Sequence, residues 1–353
     1  MIATPAASGS PLLSASMKTR PEDFIVSEQL DLEFDGSGEH LWLRVRKRNL
    51  NTQDVLNAVQ RCFSVQSVDI GVSGMKDRRA VTEQWLSVRT DKPAELLQAS
   101  GLSVVESVRH GRKLRRGTHS ANKFEIILQQ VGMLANADRD AIAARLTKIE
   151  QSGFPNYLGP QRFGRGGQNL VRAQHWFRNR RKKRPPSRPQ RSLQLSAARS
   201  ALFNAVCAAR VEAGNWSVLV PGEPAVLAGT RSFFVAELDD SDAQRRCSQH
   251  DIHPSGPWWG KGAALAGGEC LELETEILAQ YADLCKGLEA AGLTQERRAL
   301  RAIPKALQLE WLDDEALKLE FTLGPGIFAT TLLAELGEIQ LADAALEETS
   351  RTI

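Results

Sequence analysis

The chain has 353 residues, of which 42% are hydrophobic, 25% charged and 6% aromatic. That composition excludes a disordered chain, a collagen-like rod and a disulfide-stapled miniprotein, and the length asks for two domains or one domain carrying a large insertion. Lys and Arg number 45 against 42 Asp and Glu, a net charge of only +3, so any attraction to a polyanion has to come from where the charges sit.

Residues His40–Arg46 alternate, with Leu41, Leu43 and Val45 on one side and Trp42, Arg44 and Arg46 on the other. That period of two predicts a strand with one wet, basic face. Asn51-Thr52-Gln53-Asp54 then opens a helix, with Val55, Leu56, Val59 and Phe63 at helical spacing behind a capping side chain. Gln84–Val88 reads as a short strand, and Lys123–Leu128 as another, with Phe124, Ile126 and Leu128 on one face. Asp138–Ile149 is helical, its stripe formed by Ile142, Leu146 and Ile149. Gly153-Phe154-Pro155 breaks the pattern. A helix follows over Ser196–Ala213 with Leu202, Val206 and Ala209 inward, then a Gly- and Pro-rich stretch of short strands from Gly214 to Gly268, then helix over Glu269–Ala291. Lys318–Leu323 alternates again, Gly324-Pro325-Gly326 turns, and Ala329–Leu336 is helical. Strand-rich ends therefore flank a middle of different character. The expected architecture is an α/β domain interrupted by an insertion, with the C-terminal strand returning to the first sheet.

No apolar run approaches the ~18 residues of a spanning helix, and residues 1–16 lack the basic and apolar segments of a secretory signal. The cysteines Cys62, Cys207, Cys247, Cys270 and Cys285 form no Cys-x-x-Cys pair and read as reduced thiols. His250 and His253 lie three apart but Pro254 follows, and they read as neutral loop histidines, not metal ligands. The expectation is a soluble cytoplasmic protein without a metal.

Charge is uneven. Gln151–Val211 contains no acid, and eleven basic residues fall within Gln161–Arg191, among them Arg162, Arg165 and the run Arg178–Arg184. A second cluster supplies Arg109, Arg112, Lys113, Arg115 and Arg116. After Lys305 the balance reverses, with ten acids against Lys318 and Arg351. Two acid-free basic stretches suit a polyphosphate partner, because each phosphate contact releases counterions. A solvated loop is the competing reading for Arg178–Arg184.

The segment Ser73-Gly74-Met75-Lys76-Asp77-Arg78-Arg79 precedes a strand. A carboxylate among cations is held charged, and can serve as nucleophile, general base or salt-bridge partner. The segment Asn156–Asn169 interleaves aromatics with arginine and amides, a composition suited to stacked bases and base edges. Its Gly164–Gly167 stretch lacks a P-loop lysine and does not fit the dinucleotide fingerprint, which argues against a nucleotide cofactor. Composition and spacing alone stop short of a reaction.

Taken together and in this order, several segments resemble the TruD family of tRNA pseudouridine synthases. They are Lys18-Thr-Arg-Pro-Glu-Asp-Phe24-Ile-Val-Ser-Glu28, Gly36–His40, the Gly74–Trp85 loop, Asn122-Lys-Phe124, Asn156–Gly164, Leu195–Asn204 and Gly326–Thr330. The resemblance runs from Lys18 to Leu336, and departs from relatives at Leu158 and Ala334. It implies a pseudouridine-synthase-like catalytic domain with a central, mainly antiparallel sheet (1–154 and 304–353), interrupted by an inserted α/β TRUD domain (155–303). It implies isomerisation of uridine at position 13 in the D arm of tRNA, without cofactor or metal. Asp77 is then the catalytic carboxylate, and Lys18, Phe24, Lys76, Asn122, Phe124 and Phe328 border the uridine. The basic side chains Arg109, Arg112, Lys113, Arg115, Arg116, Arg162 and Arg165 would meet the RNA. The partner is tRNA, with no membrane and no obligate protein partner, so a monomer is expected.

Two other readings compete. A non-catalytic tRNA-binding module would need the basic stretches but no aspartate in the loop. A carboxylate-dependent RNA hydrolase would need a second carboxylate or a metal cluster, which the basic regions do not offer.

Overall fold

The computed structural model describes residues 2–179, 185–236 and 240–342. In chain order its principal elements are β1 (Leu13–Met17), β2 (Phe24–Gln29), β3 (His40–Arg48), α1 (Thr52–Phe63), β4 (Ile70–Val72), β5 (Val81–Arg89), β6 (Leu102–His110), β7 (Ala121–Gln129), α2 (Asn136–Ser152), β8 (Phe154–Pro155), α3 (Gln168–Arg178) and α4 (Arg188–Glu212). There follow β9 (Pro224–Leu227), β10 (Phe233–Val235), α5 (Ser241–Ser248), β11 (Ile252–His253), β12 (Ser255–Trp258), α6 (Gly268–Ala279), α7 (Ala282–Ala290), β13 (Glu296–Ala299), β14 (Arg301–Ala302), β15 (Lys305–Trp311), β16 (Ala316–Leu323), α8 (Ala329–Ala334) and β17 (Gly337–Leu341). Two compact units emerge: one of Pro11–Leu146, Pro304–Gly326 and the segment from Gly337, the other of the N-terminal ten residues, Thr147–Ile303 and Ile327–Leu336.

The first unit is built on a ten-stranded sheet with the path β15-β16-β7-β2-β5-β3-β6, to which β1, β17 and β4 attach. Only β1–β17 and β2–β5 run parallel; every other pairing is antiparallel. The C-terminal strand β16 does return to the N-terminal sheet, pairing with β7 from Ala316 opposite Gln129 to Leu323 opposite Asn122. Helix α1 starts where the Asn51–Asp54 capping pattern places it, with the Asn51 N–H donating to the Asp54 carboxylate at 2.8 Å. Its Val55, Ala58, Val59 and Phe63 close one side of the sheet over Leu41, Leu43, Val45, Leu86 and Val88.

The other face of β3 is wet and basic at Arg44 and Arg46, but not at Trp42 as the alternation predicts. Trp42 is buried in a cluster with Trp85 and Leu114, against which Phe34 packs. The loop Arg112–Leu114 folds over this cluster, its Arg112 carbonyl accepting from the Trp42 indole at 2.8 Å. Arg44, Arg46 and Arg48 retain access to water on that face; the first two pair with Glu83 on β5 and Arg48 pairs with Glu22. Local alternation reports which side chains share a face, but cannot say what a distant loop will cover.

The second unit centres on α4. The predicted stripe on that helix proves too narrow, since its buried residues include Ala197, Ala198, Ala201, Leu202, Phe203, Ala205, Val206, Cys207 and Ala208, with Ala209 only partly covered. Alanines keep the helix slim, so that α3, α6 and α7 can approach it. The single helix expected over Glu269–Ala291 is two, because α6 ends at Ala279 and α7 begins at Ala282. His253 lies in a strand, β11, and accepts from the Arg301 guanidinium at Nδ1 (3.2 Å). Burial and that guanidinium bring the imidazole down to about 4. The unfolded chain therefore binds more protons between about pH 4 and 6.5, and this unit should lose stability as pH falls through that window. A thermal-unfolding series from pH 7 to 4 checks this, with His253→Gln flattening the slope.

Candidate active site

Within the first unit, β1 delivers the chain to Lys18, which takes a left-handed backbone conformation (φ 62°) before β2. Such a conformation is unfavourable for a residue with a Cβ, and it turns the side chain inward. Lys18 is 7% exposed. Its ammonium lies 2.5 Å from Asp77 Oδ2 and 4.0 Å from the centre of the Phe24 ring. The Asp77 carboxylate keeps about half of its surface accessible, 47%. It is therefore neither locked away nor wholly on open surface.

Lys76, next to Asp77 in sequence, serves another group. Its ammonium contacts the Glu28 carboxylate at 2.9 Å and donates to Asn122 Oδ1 at 2.6 Å. The Glu28 side chain in turn accepts from the Trp85 N–H at 2.9 Å. An ammonium can only donate, so Asn122 must turn its oxygen toward Lys76 and its NH2 away. The cation that holds Asp77 is thus Lys18, 59 residues earlier in the chain, and not a neighbour in the loop. Phe124 stands edge-on to Phe24 (6.1 Å between centres) and stacks on Phe321 (5.4 Å). Both Phe24 and Phe124 are almost fully buried, at 4% and 7% exposed.

The main chain of the Lys76-Asp77 loop is held by side chains that sequence reasoning passed over. The Lys76 N–H donates to Thr52 Oγ1 at 2.9 Å, and Thr52 Oγ1 also lies 3.2 Å from Gln84 Oε1. The Asp77 carbonyl accepts from the Lys47 ammonium at 2.7 Å. Earlier in the loop, Ser73 Oγ pairs with His119 Nδ1 at 2.5 Å and accepts the His119 N–H at 3.0 Å. Burial, with Lys76 nearby, lowers the His119 imidazole below its ordinary value. The alternation of β3, followed one residue past Arg46, puts Lys47 on the side of Leu41, Leu43 and Val45 and apart from the arginines, a signal that the reading of His40–Arg46 stopped short of. Thr52 looks like an ordinary helix-start residue, and His119 has no patterned neighbour.

The basic candidates divide. Arg109 donates to the carbonyls of Thr90, Asp91 and Lys92, and Lys113 to that of Val68, so these two brace the fold. Arg112, Arg115 and Arg116 are exposed. In the second unit, Arg162 is largely withdrawn from water. Its guanidinium lies 5.6 Å from the Phe328 ring centre and 3.2 Å from Ser196 Oγ, and burial lowers its pKa. Arg165 is exposed on the turn at Gly164–Gly167. Arg178 pairs with Asp283 at 3.1 Å, while 180–184 lie outside the described residues. Phe328 precedes α8 in the second unit, close to Gly159: a Cβ there would come within 3.1 Å of the Phe328 ring and 2.9 Å of Thr330 Oγ1. The glycine of the Asn156–Gly164 segment is what allows that approach.

The comparisons with known proteins bear on the whole chain. Residues 6–173 and 185–336 match the profile of the family described as tRNA pseudouridine synthase D (TruD). The chain belongs to the TruD family. A tRNA pseudouridine synthase D of Nitrosococcus oceani is 44% identical over 340 residues, covering 94% of this chain and 93% of the relative. One from Pseudomonas putida strain W619 is also 44% identical, covering 95% and 94%. One from Methylococcus capsulatus is 42% identical, covering 95% and 94%. Among solved structures, that of a Methanosarcina mazei protein described as TruD superposes with a TM-score of 0.73 at 19% identity, covering 94% of this chain and 95% of its own. The fold is therefore that of the TruD neighbour, a mixed α/β chain with a large, mainly antiparallel sheet. Among the described residues, no helix is long and apolar enough to cross a membrane.

Proposed function

We propose that this protein isomerises uridine to pseudouridine in tRNA, at position 13 of the D arm, with Asp77 as the catalytic carboxylate. The observation that carries the reading is the Lys18–Asp77 pair: a half-accessible carboxylate gripped at 2.5 Å by a buried ammonium, in the loop that the family resemblance singles out. The comparisons supply the substrate class, since relatives matching over nearly the full chain are named tRNA pseudouridine synthase D.

The reaction must break the N1–C1′ bond, rotate the freed uracil and join C5 to C1′, with the C5 proton lost to solvent and a proton gained at N1. An ionised carboxylate promotes this either by attacking C1′ or by removing the C2′ proton on a glycal route. Both routes require Asp77 charged and aimed at the sugar. Lys18 fixes the direction through Oδ2 and leaves Oδ1 to act. The nucleotide must leave its stack first. Phe24 and Phe124 supply an apolar wall, and the Asn122 NH2, oriented by Lys76, supplies a donor for a uracil carbonyl. Arg112, Arg115, Arg116 and Arg165 meet phosphates. We further propose that 155–303, which lies within the second unit, is the family's inserted domain.

Tritium release from tRNA labelled at uridine C5 tests the reading. One tritium per tRNA should exchange while the strand stays whole, and a tRNA with cytidine at position 13 should release none. Binding without release would mark a non-catalytic tRNA-binding module, and strand cleavage a hydrolase.

A further inference from the structure

Lys47 sits on β3 between β5 and β6, opposite Thr82 and Leu102, and its side chain is completely buried. Lysines are almost never fully buried unless paired with a carboxylate. This one makes no ion pair among the described residues. Its ammonium donates instead to two main-chain carbonyls, Leu50 O and Asp77 O, both at 2.7 Å. Methionine would fill the same space without desolvating a charge. What methionine cannot do is satisfy those carbonyls. The Leu50 carbonyl belongs to the turn that leads into α1, whose Thr52 hydroxyl takes the Lys76 N–H at 2.9 Å. The Lys76-Asp77 dipeptide is therefore held at its entry by Thr52 and at its exit by Lys47.

We propose that Lys47 is a positioning residue for the reaction: its ammonium grips the Asp77 peptide from beneath, so that the carboxylate keeps the direction the chemistry needs, and the grip weakens when the ammonium gives up its proton. This rests on Asp77 being the catalytic group. Burial moves Lys47 down to about 8, reinforced by the positive charges of Lys76 and Lys18 and opposed by the carboxylates of Asp77 and Asp54. Below that pH both hydrogen bonds are charge-assisted; above it they are the weaker bonds of an amine. Folding responds with the opposite sign. The unfolded chain binds more protons between about pH 8 and 10.5, so this group's contribution to stability rises with pH across that window. A loss of activity there is not unfolding driven by Lys47.

The test is single-turnover pseudouridine formation with enzyme in excess over tRNA, from pH 6.5 to 9.5, alongside tRNA binding and thermal unfolding. The native rate should fall with an apparent pKa near 8. Lys47→Met should be about 100-fold slower at pH 7, the usual scale for a catalytic group misplaced by about 1 Å, with tRNA binding within about threefold of native. Lys47→Arg, charged at every pH, should recover part of the rate and lack the limb near 8. A Lys47→Met rate within threefold of native overturns the inference, as does a native profile flat from pH 7 to 9. Equal limbs in the native and Lys47→Arg proteins also overturn it. If Lys47→Met does not fold, the native profile and Lys47→Arg decide. No product from the native chain at any pH removes the isomerase reading and this inference with it, whereas native product with an unaffected Lys47→Met removes the inference alone.

Discussion

Asp77→Asn is expected to leave tRNA bound and pseudouridine unmade. The substitution keeps the size of the side chain and its place in the loop, and Lys47 and Thr52 hold the main chain there without touching the carboxyl. What it removes is the negative charge that either route needs. Loss of a group that makes or breaks the central bond costs at least about 10⁴-fold in rate in comparable enzymes. Tritium release should accordingly fall below detection, while filter binding of tRNA stays within a few fold of native. Weakened binding with a proportionate loss of rate would show that Asp77 serves the complex rather than the chemistry. Removing the charge also leaves Lys18 buried without its partner, so the variant should be slightly less stable, and the comparison has to be made well below its unfolding temperature.

The second large effect is on folding. Arg210 at the end of α4 is 1% exposed and lies 3.1 Å from Glu223, itself fully buried. The arginine also donates to the carbonyls of Asn215 and Val218 and to Asn215 Oδ1, each at 2.7 Å. Glu223 accepts the N–H of Val220 at 2.9 Å and that of Ser255 at 2.8 Å. The pair thus closes the turn after α4, through Arg210, and anchors it to β12, through Glu223. Burial pushes the Glu223 carboxyl above its ordinary value, and Arg210 works against that shift. Arg210→Met should cost about 3–5 kcal/mol, because it strands a buried carboxylate and two carbonyls. For a unit of this size, the melting temperature of the Thr147–Ile303 unit should drop on the order of 10 °C. Calorimetry checks it. Replacing both partners together, Arg210→Met with Glu223→Leu, should recover part of the loss, which separates a stranded charge from a simple cavity.

Much of the first unit was legible from residue order. Alternation in β7 and β16 named the buried faces, because a strand packed on one side has to alternate, and Phe124, Ile126, Leu319, Phe321 and Leu323 are all buried as that rule requires. The capping pattern at Asn51 found the start of α1, because its hydrogen bond spans only three residues. Less was legible where distant segments meet. The wet face expected for β3 holds at Arg44 and Arg46 but fails at Trp42, because Phe34 and the Arg112–Leu114 loop close over it. The narrow stripe expected for α4 fails because several elements surround that helix. Arg109 and Lys113 counted as RNA ligands in the sequence, yet they brace main-chain carbonyls.

The loop carrying Lys76 and Asp77, its glycine turn and its likeness to a family were determined by residue order alone, since a motif is a local arrangement that needs no partner to be read. The tertiary structure decided which cation Asp77 faces, where Lys76 points and what supports the loop from below. Those choices belong to Lys18, Glu28, Asn122 and Lys47, which the antiparallel sheet brings together from four strands or their ends. Charge–charge and donor–acceptor contacts fall off over a few ångströms, and such distances between residues tens of positions apart exist only once the sheet has formed.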